Sequence, residues 1–309
     1  VLGINRARFW LKAARPQFFT GAIVPVLVGG ALAYHDTGVM LWGYLLLTAL
    51  GVIFLHATAN LANDYYDHLS GNDAANTEFA RPFTGGSRVI QDGKAEPRSV
   101  LLAALIYLAL GSLIGLYLFW MRGWPVLLLG VIGGLSGIFY TARPLQLGYR
   151  GFGELFIGLD FGILPVLGSY FVQTQKFSLP ALVASLPVAF TIMAILWINQ
   201  FQDYAADKSV NKLHWVVRLG RRRASYVYAG MIAATFLSIA LAVVGGLLPP
   251  FALLAVIAIP VGIIGVKTAL ARYDDIPRLT PANAATVLVH LLTGLLLAAG
   301  LTADKLLRG

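Results

Sequence analysis

Two polar stretches in an otherwise apolar chain carry the residue types that hold a hard cation. They are Asn60-Leu61-Ala62-Asn63-Asp64-Tyr65-Tyr66-Asp67 and Asn199-Gln200-Phe201-Gln202-Asp203-Tyr204-Ala205-Ala206-Asp207. Each closes a long apolar run and repeats Asn, three residues, Asp, Tyr. On a continued helix, Asn63 and Asp67 stand at i and i+4 and share one face, and Asp203 and Asp207 repeat that spacing. Carboxylates this close repel unless a cation lies between them. Oxygen donors with no Cys and no well-spaced His suit Mg²⁺, which uses one or two carboxylates together with waters and substrate phosphates. A helix C-terminus disfavours carboxylates, a cost that a bound cation offsets. The spacing therefore makes Asn63, Asp67, Asp203 and Asp207 the expected metal ligands. Asp64 and Asp73 (in Ser70-Gly71-Asn72-Asp73) are second choices.

Basic residues flank both clusters. Lys212 follows Asp207 by five positions, Arg143 follows Tyr140 in Tyr140-Thr141-Ala142-Arg143-Pro144, and Arg81 and Arg88 bracket Thr84-Gly85-Gly86-Ser87. A metal combined with guanidinium and ammonium groups is what a diphosphate requires. The Gly-Gly pair lets backbone N–H groups approach an anion, although no Gly-Lys-Ser/Thr follows to make a P-loop. Tyr65, Tyr66, Tyr140 and Tyr204 lie beside the clusters, where a ring could bond phosphate or face a carbocation. Tyr140 is the first choice among them. Five scattered histidines have no suitably spaced partner and receive no catalytic role.

The elements that position these residues are membrane helices. The 309-residue chain is 58% hydrophobic, only 12% charged and without cysteine, and its mean hydropathy is +0.75. A helix needs roughly 20 apolar residues to cross the hydrocarbon core. Nine stretches qualify, near residues 17–34, 39–62, 100–120, 124–140, 154–172, 179–201, 224–244, 250–269 and 283–301. With the N-terminus cytoplasmic, 19 of the 23 basic residues fall on the inner side, in keeping with the positive-inside rule. The net charge of +9 then belongs to cytoplasmic loops facing lipid and an anionic substrate, not to nucleic acid. The first apolar run, ending near Ala31-Leu32-Ala33, has the look of a secretory signal, but is read as the first crossing because the charge pattern requires it.

The expected architecture is all-α: a single integral-membrane domain over residues 1–309, with nine transmembrane helices around a central cavity open to the cytoplasm. The second and sixth crossings run in the same direction, so both acidic clusters reach one surface.

These motifs resemble the intramembrane aromatic prenyltransferases of the UbiA superfamily. The resemblance rests on Asn63-Asp64-Tyr65-Tyr66-Asp67, on Asp203 to Asp207 with Lys212, and on Tyr140 to Pro144. Ala14-Arg15-Pro16, the Arg81 to Arg88 segment, Gly148 to Glu154 and Val217-Arg218-Leu219-Gly220 resemble the 1,4-dihydroxy-2-naphthoate polyprenyltransferase branch, which serves menaquinone synthesis. Two departures stand out: Gly71 occupies the position of a third Asp in the 4-hydroxybenzoate branch, and Leu213-His214-Trp215 replaces an Arg-Thr type sequence after Lys212.

The resemblance implies Mg²⁺ ions on Asn63, Asp67, Asp203 and Asp207, a polyprenyl diphosphate donor, and an aromatic acceptor. Arg143 and Lys212 would neutralise the leaving group, assisted by Arg81 or Arg88, with the prenyl tail among the helices in contact with lipid. A bacterial or archaeal cell membrane is the expected location. A 4-hydroxybenzoate-type enzyme is one alternative and a secondary transporter another. The transporter reading requires acids near the bilayer midplane, for which only Asp160 and Glu154 are available. Asp160 has no role in the prenyl-transfer reading, although an acid inside a membrane helix is functional by default.

Overall fold

The computed structural model describes residues 2–308, with side chains from residue 6 onward. Every regular element among them is helical. They are α1 (Leu2–Ala13), α2 (Thr20–Thr37), α3 (Trp42–Leu69), α4 (Asn72–Ala75), α5 (Pro97–Arg122), α6 (Trp124–Phe139), α7 (Gly153–Gly158), α8 (Leu164–Thr174), α9 (Leu179–Ser209), α10 (Trp215–Leu219), α11 (Arg221–Val244), α12 (Ile259–Arg272) and α13 (Ile276–Arg308). A π-helical turn, Leu159–Ile163, joins α7 to α8, so the pair makes one crossing, Gly153–Thr174. A 3₁₀ segment, Pro250–Ala258, leads into α12 in the same way. The protein is a polytopic membrane protein.

Eight helices among the described residues have the length and apolarity to cross a bilayer, where nine were expected. The exception is α6, whose 16 residues rise about 24 Å, short of the roughly 30 Å hydrocarbon core. It is nevertheless apolar and packs against α5 and α8.

Two boundaries bear directly on the site. The apolar runs end near Ala62 and Phe201, but α3 continues to Leu69 and α9 to Ser209. The acidic clusters are thus the last turns of two long helices and not the start of loops. Their polar residues remain helical because they face a protein interior instead of lipid: Asp64, Asp67 and Asp207 are all buried.

Small residues let the helices approach. Gly29 of α2 lies against the α8 backbone at Val166, and Gly294 of α13 receives the Val24 side chain of α2. Such contacts drive helix association where lipid removes the usual hydrophobic advantage. The resulting core joins α2, α8, α9, α11 and α13 through Val28, Leu32, Val166, Val188, Ile239 and Leu297. A second cluster, built on Trp197, Phe201, Tyr228 and Leu279, locks α9 to α11 and α13 below the second acidic cluster. A third cluster packs Ala57, Leu61 and Ala62 of α3 against α1 and α5, so the ends of α3 and α9 are anchored to different parts of one packed bundle.

Candidate active site

The two acidic clusters meet. Asn63 Nδ2 donates to Asp67 Oδ2 at 3.0 Å, as i,i+4 placement on α3 allows. Lys212 Nζ lies 3.4 Å from Asp67 Oδ2 and 3.4 Å from Asp207 Oδ1, bridging the two helix ends. Burial by itself would lower the Lys212 pKa, but Asp207 and Asp67 together carry it well above its ordinary value. The ammonium stays charged, in the position of a cation between carboxylates.

The segment after α3 completes the link. Asn72 Nδ2 donates to Asp207 Oδ1 at 2.9 Å and Asn76 Nδ2 to Asp203 Oδ1 at 2.6 Å. His214, fully buried at the start of α10, contacts Asp207 Oδ2 through Nε2 at 2.8 Å. Its Nδ1 accepts from Val217 N, so the Nε2–H tautomer donates to Asp207. Tyr149 donates to Asp67 Oδ1 at 3.2 Å. Burial, then the Asp67 charge, pushes the Tyr149 phenol up to about 12, so it remains a donor.

Asp64 and Asp73 have other partners. Asp64 accepts from Ser87 N through both carboxylate oxygens, at 3.2 and 3.3 Å. Gly86 sits directly over it with φ of +67°, and a Cβ there would stand 2.7 Å from Asp64 Oδ1. Asp64 thus holds the Gly85-Gly86-Ser87 loop over the site. Asp73 accepts from Gln91 Nε2 at 2.9 Å, while Arg88 Nη1 donates to its backbone carbonyl at 3.2 Å. Burial, reinforced by Asp67 and Asp64, pushes the Asp73 carboxyl up to about 7.

A cavity of about 210 Å³ joins these groups. It is lined by Asn63, Asp67, Asn72, Asp73, Asn76, Asp203, Asp207, Lys212 and Tyr140, and by Gly85 and Gly86. The Tyr140 ring seats against the Gly148 and Gly153 backbones, where a Cβ on either would lie 3.0 Å from a ring carbon. A second cavity of about 140 Å³ continues between α3, α5, α6 and α8, past Leu55, Ile114, Leu118, Leu129 and Leu164. One end of the site is therefore anionic and oxygen-rich, and the other is a greasy slot.

Among the described residues, no three His, Cys, Asp or Glu side chains gather closely enough to hold a metal by themselves. The donor set suits a hard cation in a different way. The Asn72 and Asn76 side-chain oxygens are buried without a hydrogen-bond partner, each beside a carboxylate that the same side chain's nitrogen contacts. Amide oxygens next to acids are the donor type that suits Mg²⁺ completed by water or substrate phosphate.

The basic residues divide. Lys212 is in the cavity. Arg143 and Arg81 are exposed and line neither cavity. Arg81 lies 5.7 Å from the Phe79 ring and borders a separate surface cleft. Arg88 stacks on Phe79 at 4.6 Å and braces the Asp73 loop.

Arg15, which the sequence offered within Ala14-Arg15-Pro16 but not as an anion contact, lines the cavity instead. It adopts a left-handed backbone (φ 61°) and donates to Phe83 O at 3.3 Å. Asn72 and Asn76 repeat the i,i+4 spacing of Asn63 and Asp67, a signal that could have identified them. His214 follows Asp207 by seven positions, two helical turns had the helix continued; its contact with Asp207 gives one histidine a supporting partner that the sequence spacing did not suggest.

The profile of the UbiA prenyltransferase family matches residues 22–292. A Mycobacterium tuberculosis (strain ATCC 25618 / H37Rv) protein named 1,4-dihydroxy-2-naphthoate octaprenyltransferase is 33% identical over 225 residues, covering 72% of this chain and 74% of the relative. A Bacillus subtilis (strain 168) protein of the same name is 29% identical over 258 residues, covering 83% and 80%. The solved structure of a UbiA homolog from Archaeoglobus fulgidus bound to GPP and Mg²⁺ superposes with a TM-score of 0.65 at 16% identity, covering 93% of this chain and 99% of that one. The chain belongs to the UbiA prenyltransferase family and is an enzyme, which sets aside the transporter alternative.

Proposed function

We propose that this enzyme transfers an isoprenyl chain from a polyprenyl diphosphate to an aromatic acceptor with the help of Mg²⁺, and that the acceptor is 1,4-dihydroxy-2-naphthoate, prenylated with loss of its carboxylate as CO₂ for menaquinone synthesis. The observation that carries this reading is the convergence of Asn63/Asp67 and Asp203/Asp207 around one ammonium, directly beside an apolar slot. A small anionic head and a long apolar tail are what such a site accommodates. The names of the two curated relatives support the naphthoate acceptor, and the ligands of the Archaeoglobus homolog support a prenyl diphosphate and Mg²⁺.

Asn63, Asp67, Asp203 and Asp207 would hold the cation, with Asn72 and Asn76 oxygens as further ligands. When bound, Mg²⁺ supplies positive charge that stabilises the departing diphosphate. Lys212 adds charge to the same oxygens as the allylic C–O bond breaks, and the Gly85-Gly86 backbone offers N–H donors. Arg15 replaces Arg143 as the cavity guanidinium. The Tyr140 ring lines the same cavity and would stabilise the allylic cation. The apolar lining of the slot would hold the tail beside lipid and keep water away from the cation. The acceptor's ring carbon then attacks, and CO₂ departs to restore aromaticity. The N-terminus and both acidic helix ends face the cytoplasm in this reading, as the basic residues require.

The test is incubation of the purified protein in nanodiscs with labelled isoprenyl diphosphate, Mg²⁺ and a panel of hydroxylated aromatic acceptors. Prenylated naphthoate-derived product is expected. Product only from 4-hydroxybenzoate would move the enzyme to that branch, and no product from any acceptor would refute the reading.

A further inference from the structure

Asp160 is the one acid in the apolar slot, and the diphosphate chemistry makes no use of it. It sits in the π-helical turn between α7 and α8. The polar cavity and the apolar slot share five lining residues, His56, Ala59, Gly137, Asp160 and Phe161. Among the described residues, the one acid and the one histidine that line the slot thus stand together at the junction.

Neither group is satisfied by the protein. Ser136 Oγ reaches Asp160 Oδ1 at 2.6 Å, and among the described residues Oδ2 has no donor. His56 is buried, and among the described residues neither ring nitrogen has a hydrogen-bond partner; Nδ1 is enclosed by protein and Nε2 is not. Its ring is held against Phe161 at a centroid distance of 4.5 Å and against Phe19 at 5.7 Å. The π-turn matters to this placement: π-turns concentrate at functional sites, and here two successive residues, Asp160 and Phe161, both line the junction. Gly162 holds the turn tightly to α9, since a Cβ on it would stand 2.5 Å from Ala189 Cα.

The position defines the ligand. The diphosphate occupies the acidic end and its tail the slot, so the reactive allylic carbon lies at the junction, and so must the ring that attacks it. We propose that Asp160 and His56 bind the hydroxyl groups of a dihydroxylated aromatic acceptor, Asp160 Oδ2 accepting from one hydroxyl and the His56 ring, through Nε2, pairing with the other. This rests on the prenyl-transfer reading above and assigns its acceptor contacts. Both are positioning residues that determine acceptor choice. A junction built to bond hydroxyls discriminates against rings that lack them, because its own polar groups would be left unpaired.

The experiment uses the protein in nanodiscs with Mg²⁺ and isoprenyl diphosphate, comparing a dihydroxynaphthoate with its two monomethyl ethers. For the wild type, one or both ethers should raise the acceptor KM at least tenfold. In Asp160→Asn, which can retain the Ser136 contact, the acceptor KM should rise about tenfold, the donor KM should stay within twofold, and the penalty for one ether should vanish. Ser136→Ala removes the tie between α6 and Asp160 but leaves the carboxylate, and should keep the ether penalty. If Asp160→Asn leaves acceptor KM and ether penalty unchanged, or the wild type tolerates both ethers, Asp160 merely ties α6 to α7 and the inference falls. If the wild type prenylates no hydroxylated ring at all, the prenyl-transfer reading falls first and takes this one with it.

Discussion

Replacing Lys212 by methionine removes one positive charge and almost no volume from between two buried carboxylates. The ammonium lies 3.4 Å from each of Asp67 and Asp207. At an effective dielectric of 20, each attraction is about 5 kcal/mol before desolvation is subtracted. Breaking a buried pair by removing one partner typically costs about 3–5 kcal/mol net, because the remaining charges are left uncompensated. Lys212→Met should therefore unfold well below the wild type when Mg²⁺ is chelated.

Added Mg²⁺ should then recover much of the loss. A ligand at a hundred times its dissociation constant contributes roughly 2.7 kcal/mol, and the variant offers carboxylates with no competing ammonium. The assay is thermal unfolding in detergent, with chelator and with a Mg²⁺ titration. The Mg²⁺-induced rise in Tm should be larger in Lys212→Met than in the wild type. Equal rises, or no loss of stability in chelator, would refute the idea that Lys212 and Mg²⁺ share the same carboxylates.

Four further outcomes follow from the site. Asp67→Ala and Asp203→Ala should each abolish prenyl transfer while leaving a folded protein, as judged by size-exclusion and thermal unfolding. Asn76→Leu removes a 2.6 Å donor to Asp203 and an orphaned oxygen, and His214→Phe removes the donor to Asp207; each should weaken Mg²⁺ activation about 10- to 100-fold, the usual consequence of losing a ligand's support. Gly86→Ala places a Cβ against Asp64 in a left-handed backbone. It should cost about 1–3 kcal/mol and raise the diphosphate KM, whereas Gly93→Ala, also at positive φ but with nothing within 4 Å, should affect stability alone. Arg143→Ala, at an exposed position outside the cavities, should change turnover less than threefold, and Arg15→Ala far more.

What was legible in the sequence followed from strong physical constraints. Apolar runs located the helices, and the count of crossings between the two acidic clusters put both at one end of the bundle, so the meeting of Asp67 with Asp207 could be expected from topology. The ends of α3 and α9 were harder to read, because polarity marks the edge of lipid exposure and not the end of a helix. Asp64 shares the repeat with Asp203 yet faces the Gly86 loop, a difference of side-chain direction that spacing alone does not reveal.

Arginines misled for a related reason. Charge placed Arg143 and Arg15 on the same surface, but only the left-handed turn at Arg15 carries its guanidinium into the cavity. Asn72 and Asn76 contact α9 across more than 120 positions of sequence, and only the fold of the segment after α3 brings them there.

Whether the two acidic helix ends form one metal–diphosphate site is tested most directly by anomalous diffraction from crystals grown with Mn²⁺ and a non-hydrolysable isoprenyl thiodiphosphate. Metal density is expected between α3 and α9, ligated by residues of both Asn63/Asp67 and Asp203/Asp207, with the diphosphate beside Lys212 and the tail in the apolar slot. Metal bound to one cluster alone, or a diphosphate bound away from both, would contradict a shared site.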